Sequence, residues 1–508
     1  MTPRIPTMRL ALSPLALAAT LAACSRTQVV TATPAPVTPP AAATASLPAA
    51  QPAADTTPKP PTLAPPKALT LPPIVSRELA NGMRLLVVEH HELPLADFVL
   101  LVRTGHEADP PKHVGLAALT AAMLDEGAGG RNALQIADQA AYLGVQLGTG
   151  SSWDLSQVTL HAPTAQLDSA LALFADVALR PAFPEKDLDR IRQERITNII
   201  QNRDRPTVIA DQAYASLVFG GEHPYGRPTI GTEASLKQIT RGDVTRFYDT
   251  YYRPNNATLI VVGDVAAADV ERRVNALFSK WQRKDVPKAD YGRVPGGHAT
   301  TVYLVDKPGA AQSSFRIGTI GVARSTADYF PIQVMNTILG GSFTSRLNQN
   351  LREAKGYTYG AFSGFSMRSQ PGPFTARAEV VAAKTDSALV EFMKEITNIR
   401  DTVPSTELEK AKRYLQLQLP NDFETTTDIA MNLVPLAVYG LPLDYFNQYA
   451  ARIASVTQAD VQRVARQYLD PSKMNVVIVG DRKTVEAGLR AAKVGEVEVR
   501  GLSGEKMP

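Results

Sequence analysis

The sequence predicts an α+β protein made of two homologous domains, each a mixed sheet packed by helices, joined by a linker. Three observations carry that expectation. At 508 residues the chain exceeds what one hydrophobic core sustains. A segment recurs: residues 239–264 align without gaps onto residues 456–481, and Thr240, Asp243, Val244, Arg246, Tyr251, Pro254, Val262, Gly263 and Asp264 all reappear in the second copy. Each copy reads as an N-capped helix, a proline stop and a buried strand ending in Gly-Asp.

Taken in order, residues 1–24 read as a secretion signal. Arg4 and Arg9 precede an apolar run over residues 10–23 that is too short for a stable membrane span, and Met8 is an alternative start to Met1. Residues 25–73 are Ala, Pro and Thr with almost no aromatics, so they cannot bury enough surface to fold and form a tether. The first domain, residues 74–280, opens with two strands around the Asn81-Gly82 turn and a third over residues 96–104. A helix is expected over residues 115–130, stopped by Gly127, Gly129 and Gly130. Helical patterns follow at 133–143, 167–179 and 184–201, with strands near 146–147 and 157–161. Residues 281–297, with Pro287 and Pro295, are the linker; residues 298–495 form the second domain and 496–508 a tail. A net charge of +4 without long basic blocks argues against nucleic acid as a partner.

The helix that follows the third strand begins Gly115-Leu116-Ala117 and continues with Ala118, Ala121 and Ala122. With the repeat, it resembles the pitrilysin/insulinase family of zinc metallopeptidases, whose first domain carries Gly-Leu-Ala-His-Phe-Leu-Glu-His on the equivalent helix. In that motif two histidines on one helical face hold zinc and the Glu acts as general base. Here Ala118, Ala121 and Ala122 stand at those three positions. The family's third ligand, a Glu, falls near Thr197 to Ile199, where nothing is acidic, and Glu194 comes about one turn too early. One carboxylate without imidazoles gives no closed zinc site, so the chain is expected to bind no metal or other cofactor.

The second domain resembles the family's second-half signature over residues 339–359. Arg352 and Tyr359 occupy the places of an Arg and a Tyr that reach across to the zinc domain and grip substrate carbonyls and the developing oxyanion. Gly340, Gly341 and Ser342 open the signature as candidate substrate-binding positions. Fixed donors of this kind suit charge that develops in a tetrahedral transition state.

The resemblance implies half of a clamshell: a subunit inactive alone that closes on a zinc-bearing homologue and helps bind extended peptides along a sheet edge. The zinc would belong to the partner. It also implies that Leu21-Ala22-Ala23-Cys24 is a lipobox and that Cys24, the sole cysteine, is the lipidated N-terminus of an outer-membrane lipoprotein facing the periplasm, favoured by Ser25. The alternative is a scaffold lipoprotein with the same fold and no proteolytic role. His90-His91-Glu92 is a weak metal candidate, because adjacent strand residues point to opposite faces.

Overall fold

The computed structural model describes residues 71–502 and 504–507, all within one compact unit. The signal segment, Cys24 and the tether as far as residue 70 lie outside the described residues.

The first half supplies β1 (Val75–Glu78), β2 (Arg84–Glu89), β3 (Leu95–Val102), a two-residue hairpin of β4 (Gly127–Ala128) and β5 (Arg131–Asn132), β6 (Gln146–Ser151), β7 (Ser156–Pro163) and β8 (Ala257–Gly263). Apart from that hairpin they form one sheet, ordered β1-β2-β8-β3-β7-β6. The second half supplies β9 (Thr301–Asp306), β10 (Gln312–Ile320), β11 (Thr358–Phe365), β12 (Pro373–Val381), β13 (Asn475–Gly480) and β14 (Glu496–Arg500), ordered β11-β12-β10-β13-β9-β14. Read from opposite ends the two orders superpose, with β8 and β13 in equivalent places. β2 runs parallel to β8 as β9 does to β13, and both halves are otherwise antiparallel in their shared five strands. The outermost strand differs: β1 is antiparallel to β2, whereas β14 is parallel to β9.

β14 corrects the expectation of a tail over residues 496–508. Its alternation, Glu-Val-Glu-Val-Arg, offers only two apolar side chains, too weak a pattern to stand out, yet Val497 and Val499 are buried against the end of the sheet. The helix expected over residues 115–130 is also shorter, Leu116–Ala122. Gly129 and Gly130 both adopt positive φ, at 57° and 84°, and turn β4 back onto β5. Two left-handed residues in succession favour a tight hairpin over a helix C-terminus.

The repeated segments become the helices Arg241–Tyr251 and Gln458–Tyr468, each with a capping box closed by Thr240 or Thr457, followed by the turns at Pro254 and Pro471 and the strands β8 and β13. Their apolar runs are continuous rather than alternating because both faces are covered. Leu85, Val87, Phe98, Leu100, Leu259 and Val261 face the first half's own helices, while Leu86, Val88, Val99, Leu101, Ile260 and Val262 join the core of the second half.

That second cover is exchanged between the halves. Helix Thr426–Tyr439, from the second half, packs on β3 and β8, and helix Pro206–Phe219, from the first, packs on β10 and β13. Polar contacts set each crossing. Buried Asp97 of β3 accepts from Thr426 Oγ1 at 2.6 Å and Thr427 Oγ1 at 2.9 Å at the start of the incoming helix, and from His161 at 3.1 Å. Arg316 of β10 donates to Asp211 at 2.5 Å and to the Thr207 carbonyl at 3.2 Å. Tyr214, on the same helix, donates to the Phe374 carbonyl.

The loop from β3 to the helix Leu116–Ala122 carries four buried polar residues, Thr104, His106, Glu107 and Asp109. Burial pushes the Glu107 carboxyl up to about 8, against a hydrogen bond from the Gly105 N–H at 2.8 Å that acts the other way, with Asp154 and Asp109 adding like charge. Asp109 accepts from the Gly115 and Ala117 N–H groups, each at 2.7 Å, and so caps the helix from six residues upstream.

Two outcomes follow. Asp97→Ala leaves two helix-start hydroxyls and an imidazole without their acceptor, and urea denaturation should show a loss of about 2–4 kcal/mol; a loss below about 0.5 kcal/mol would refute its anchoring role. Glu107 binds its proton more tightly in the folded than in the unfolded chain, so its contribution to stability is complete in acid and is lost as pH rises through about 8. Glu107→Gln should therefore flatten the fall in stability between about pH 5 and 8, and an unchanged slope would show that Glu107 does not cause it.

Candidate functional site

The short helix Leu116–Ala122 lies against helix Arg241–Tyr251 and the edge strand β6. Ala118 and Ala122, one turn apart, are half-buried on one face, and Ala121 is fully buried. Methyl groups offer a metal no electron pair and a water no proton acceptor, so these positions do not fit zinc. From the opposing helix, Glu185–Asn202, Arg195 reaches across and donates from Nη2 to the Ala118 carbonyl at 2.8 Å. Its Nη1 is buried without a partner, and desolvation pulls the guanidinium down to about 10. A fixed cation thus bridges the two helices that carry ligands in the resemblance.

The third ligand position stays empty of acid. Thr197 folds its hydroxyl back to the Gln193 carbonyl at 2.9 Å, and Glu194 is an exposed partner of Arg190 at 2.9 Å. Arg190 also pairs with Glu126 at 2.5 Å, which ties the end of the motif segment to the same helix. Among the described residues no group of three or more His, Cys, Asp or Glu side chains is placed to hold a metal ion. His91 leans to Asp264 at 2.8 Å while His90 turns toward Glu92 at 4.0 Å, on separate partners.

The second-half signature has a different character. Helix Tyr329–Asn336 runs into a π-helical turn, Thr337–Gly341, and a second π-helix spans Asn348–Ala354. Such wide turns are uncommon and concentrate at functional places. Gly340 is buried where a Cβ would come within 2.4 Å of the Ser363 N, so β11 rides directly on the turn. Ser342 faces inward and donates to the Thr337 carbonyl at 3.2 Å, whereas Gly341 is exposed. Fully buried Asn348 donates to the Ser342 carbonyl at 3.3 Å and accepts from the Ala361 N–H at 2.9 Å, stitching the turn to β11.

Arg352 and Tyr359 emerge from this braced segment. The Arg352 guanidinium stacks 4.3 Å over the Phe343 ring and pairs with Glu353 at 2.7 Å. Tyr359, on the edge strand β11, is 91% exposed. No hydrogen bond joins the two among the described residues; they are neighbouring donors on adjoining elements. Asp109, Arg195 and Asn348 are the site residues that the sequence reading missed. Asn348, a polar residue inside the signature's helix, carried the clearest signal.

The chain matches two family models, "Insulinase (Peptidase family M16)" over residues 85–233 and "Peptidase M16 inactive domain" over residues 238–415. An uncharacterized zinc protease of Rickettsia bellii is 23% identical over 409 residues, covering 79% of this chain and 96% of that protein. One of Streptomyces coelicolor is 25% identical over 417 residues, covering 80% and 90%. Among solved structures, a peptidase M16 inactive domain from Pseudomonas fluorescens superposes with a TM-score of 0.75 at 27% identity, covering 80% of this chain and 98% of that one. A protease from Helicobacter pylori shares the fold, with a TM-score of 0.73 at 20% identity over 81% of this chain and all of that one. With its doubled sheet, its signature in the second half and three alanines where the zinc motif would stand, the chain belongs to the insulinase family of peptidases as a member of the non-catalytic type.

Proposed function

We propose that this chain is the non-catalytic half of a periplasmic zinc peptidase, closing on a zinc-bearing homologue and lending it Arg352 and Tyr359. The observation that carries the reading is the contrast within one molecule. Where positions 118, 121 and 122 of the motif helix offer only methyl groups, the second half presents a guanidinium and an exposed phenol on a braced segment. Both groups donate hydrogen bonds, and both suit a substrate carbonyl that gains negative charge as water adds to it. Unlike a buried Tyr, Tyr359 has its ring in solvent, open to a molecule outside the chain.

Extended peptides are the proposed substrates. They would pair with a free strand edge through main-chain hydrogen bonds, a mode that tolerates varied sequences. Lipidation at Cys24 would hold the subunit at the outer membrane, with the partner recruited there. In the competing reading the chain is an envelope scaffold with no proteolytic role.

Purified alone, the protein should hold no stoichiometric zinc and cleave no peptide, while mixing with a zinc-bearing homologue should restore cleavage. Arg352→Ala should lower kcat/KM of the mixture by about ten- to a hundredfold, and Tyr359→Phe should act in the same direction. Activity of the mixture that is indifferent to both substitutions would refute the donor role and favour the scaffold. In cells, labelled palmitate should enter the wild-type protein and not Cys24→Ala; equal labelling of the two would refute the anchor.

A further inference from the structure

Helix Pro206–Phe219 does not cover the whole inner face of the second sheet. Between it, β12 and the edge strand β11 lies a cavity of about 460 Å³, large enough for a side chain or a short stretch of peptide. Three arginines, Arg316, Arg368 and Arg377, reach its wall, and Asp211 is the one carboxylate among its described lining residues.

The three guanidinium groups are not equally satisfied. Arg316 is saturated by Asp211, by Glu379 at 3.5 Å and by the carbonyls of Thr207 and Phe315. Arg377 stands directly opposite Arg316 in the β10–β12 register, is exposed, and has no ion pair or hydrogen bond among the described residues. Like charges directly opposite one another on a sheet repel. Arg368 is 8% exposed, its guanidinium held between the rings of Trp153 at 3.9 Å and Tyr225 at 4.4 Å. Its Nε and Nη1 are buried without a hydrogen-bond partner. Asp154, the nearby acid, is already engaged by the Tyr225 and Tyr439 hydroxyls and the Ser369 N–H. A buried cation left without a hydrogen-bonded counter-charge is expensive, and neither Arg368 nor Arg377 has a carboxylate hydrogen-bonded to it among the described residues.

We propose that the cavity takes a carboxylate carried by an extended peptide, an acidic side chain or a free C-terminus, between Arg368 and Arg377. Guanidinium groups match a carboxylate with paired, charge-assisted hydrogen bonds. The neighbouring strand suits delivery. β11 has a free edge, and its residues Phe362 and Gly364, two apart and so on one face, line the cavity. A Cβ built on Gly364 would meet nothing within 4 Å, which leaves that wall open. The site rests on the reading that this chain binds peptides, and it adds the class of peptide preferred.

Fluorescence anisotropy on the full chain tests it with three labelled peptides of equal length: one neutral and capped at both ends, one capped with a single internal Glu, and one neutral with a free C-terminus. At least one acidic peptide should bind about tenfold more tightly than the neutral one, and which of them does so identifies the source of the carboxylate. Arg377→Gln and Arg368→Gln should each erase that preference, and Gly364→Val, which fills the wall, should reduce it. If circular dichroism shows that Arg368→Gln fails to fold, the other two variants decide. Equal affinity for all three peptides, or a preference that survives the substitutions, overturns the site while leaving peptide binding in place. Failure to bind any of the three overturns the peptide-binding reading and the site together.

Discussion

The reciprocal exchange of two helices is the constraint on which the rest of the structure depends. Each sheet is apolar on both faces and needs two layers of cover, and each half supplies only one layer for itself. Helix Thr426–Tyr439 completes the first sheet and helix Pro206–Phe219 the second. The stabilisation comes mainly from burial, at about 1.5–3 kcal/mol for each large aliphatic side chain removed from water. Net gains from the polar contacts at Asp97 and Arg316 are smaller, about 1 kcal/mol for an ordinary hydrogen bond. Their role is directional, since an apolar face alone does not specify where along a strand the incoming helix begins.

This architecture accounts for a motif helix that keeps its place with alanines at positions 118, 121 and 122. Seven residues are too few to hold helical form by themselves, so the segment Leu116–Ala122 relies on its surroundings. Asp109 satisfies two N–H groups at its start, Leu116, Ala117 and Leu119 are buried, and Arg195 binds the Ala118 carbonyl from the facing helix. Replacing two imidazoles and a carboxylate with methyl groups removes polar atoms from a half-buried place, a change that apolar packing tolerates. The positive charge near the helix is then supplied by a guanidinium that is covalently part of the chain.

Much of the fold was legible because the sequence states it twice. The gapless repeat correctly paired β8 with β13, and the Thr-x-x-Asp caps and proline stops bounded the preceding helices close to where they lie. The alanines at 118, 121 and 122 were equally plain. What the sequence could not convey were relations across long separations. Continuous apolar runs such as Leu85 to Val88 announce burial on both faces without naming the cover, which lies more than three hundred residues away. The π-helical turns depend on Gly340 meeting Ser363 and on Asn348 spanning two elements, neither of which leaves a periodic trace.

The contrast between the two halves bears on where function resides. A chain selected only to pack has no need of wide helical turns, whose hydrogen-bond geometry is poorer than that of an α-helix, nor of a tyrosine ring left in solvent at a sheet edge. Here both occur together, with Phe343, Tyr359 and Phe362 exposed around Arg352 and β11. The bracing by buried Asn348 is directed at this same segment, so its irregular backbone is held in one shape rather than left loose. Rigid support beneath exposed donors is what recognition requires, because a group already fixed in place loses little freedom when a ligand arrives. In the first half the polar groups beside the motif helix are turned to internal partners, as Asp109 and Arg195 show. The proposed donors therefore sit in the second half, at the edge strand and the turn that carries it.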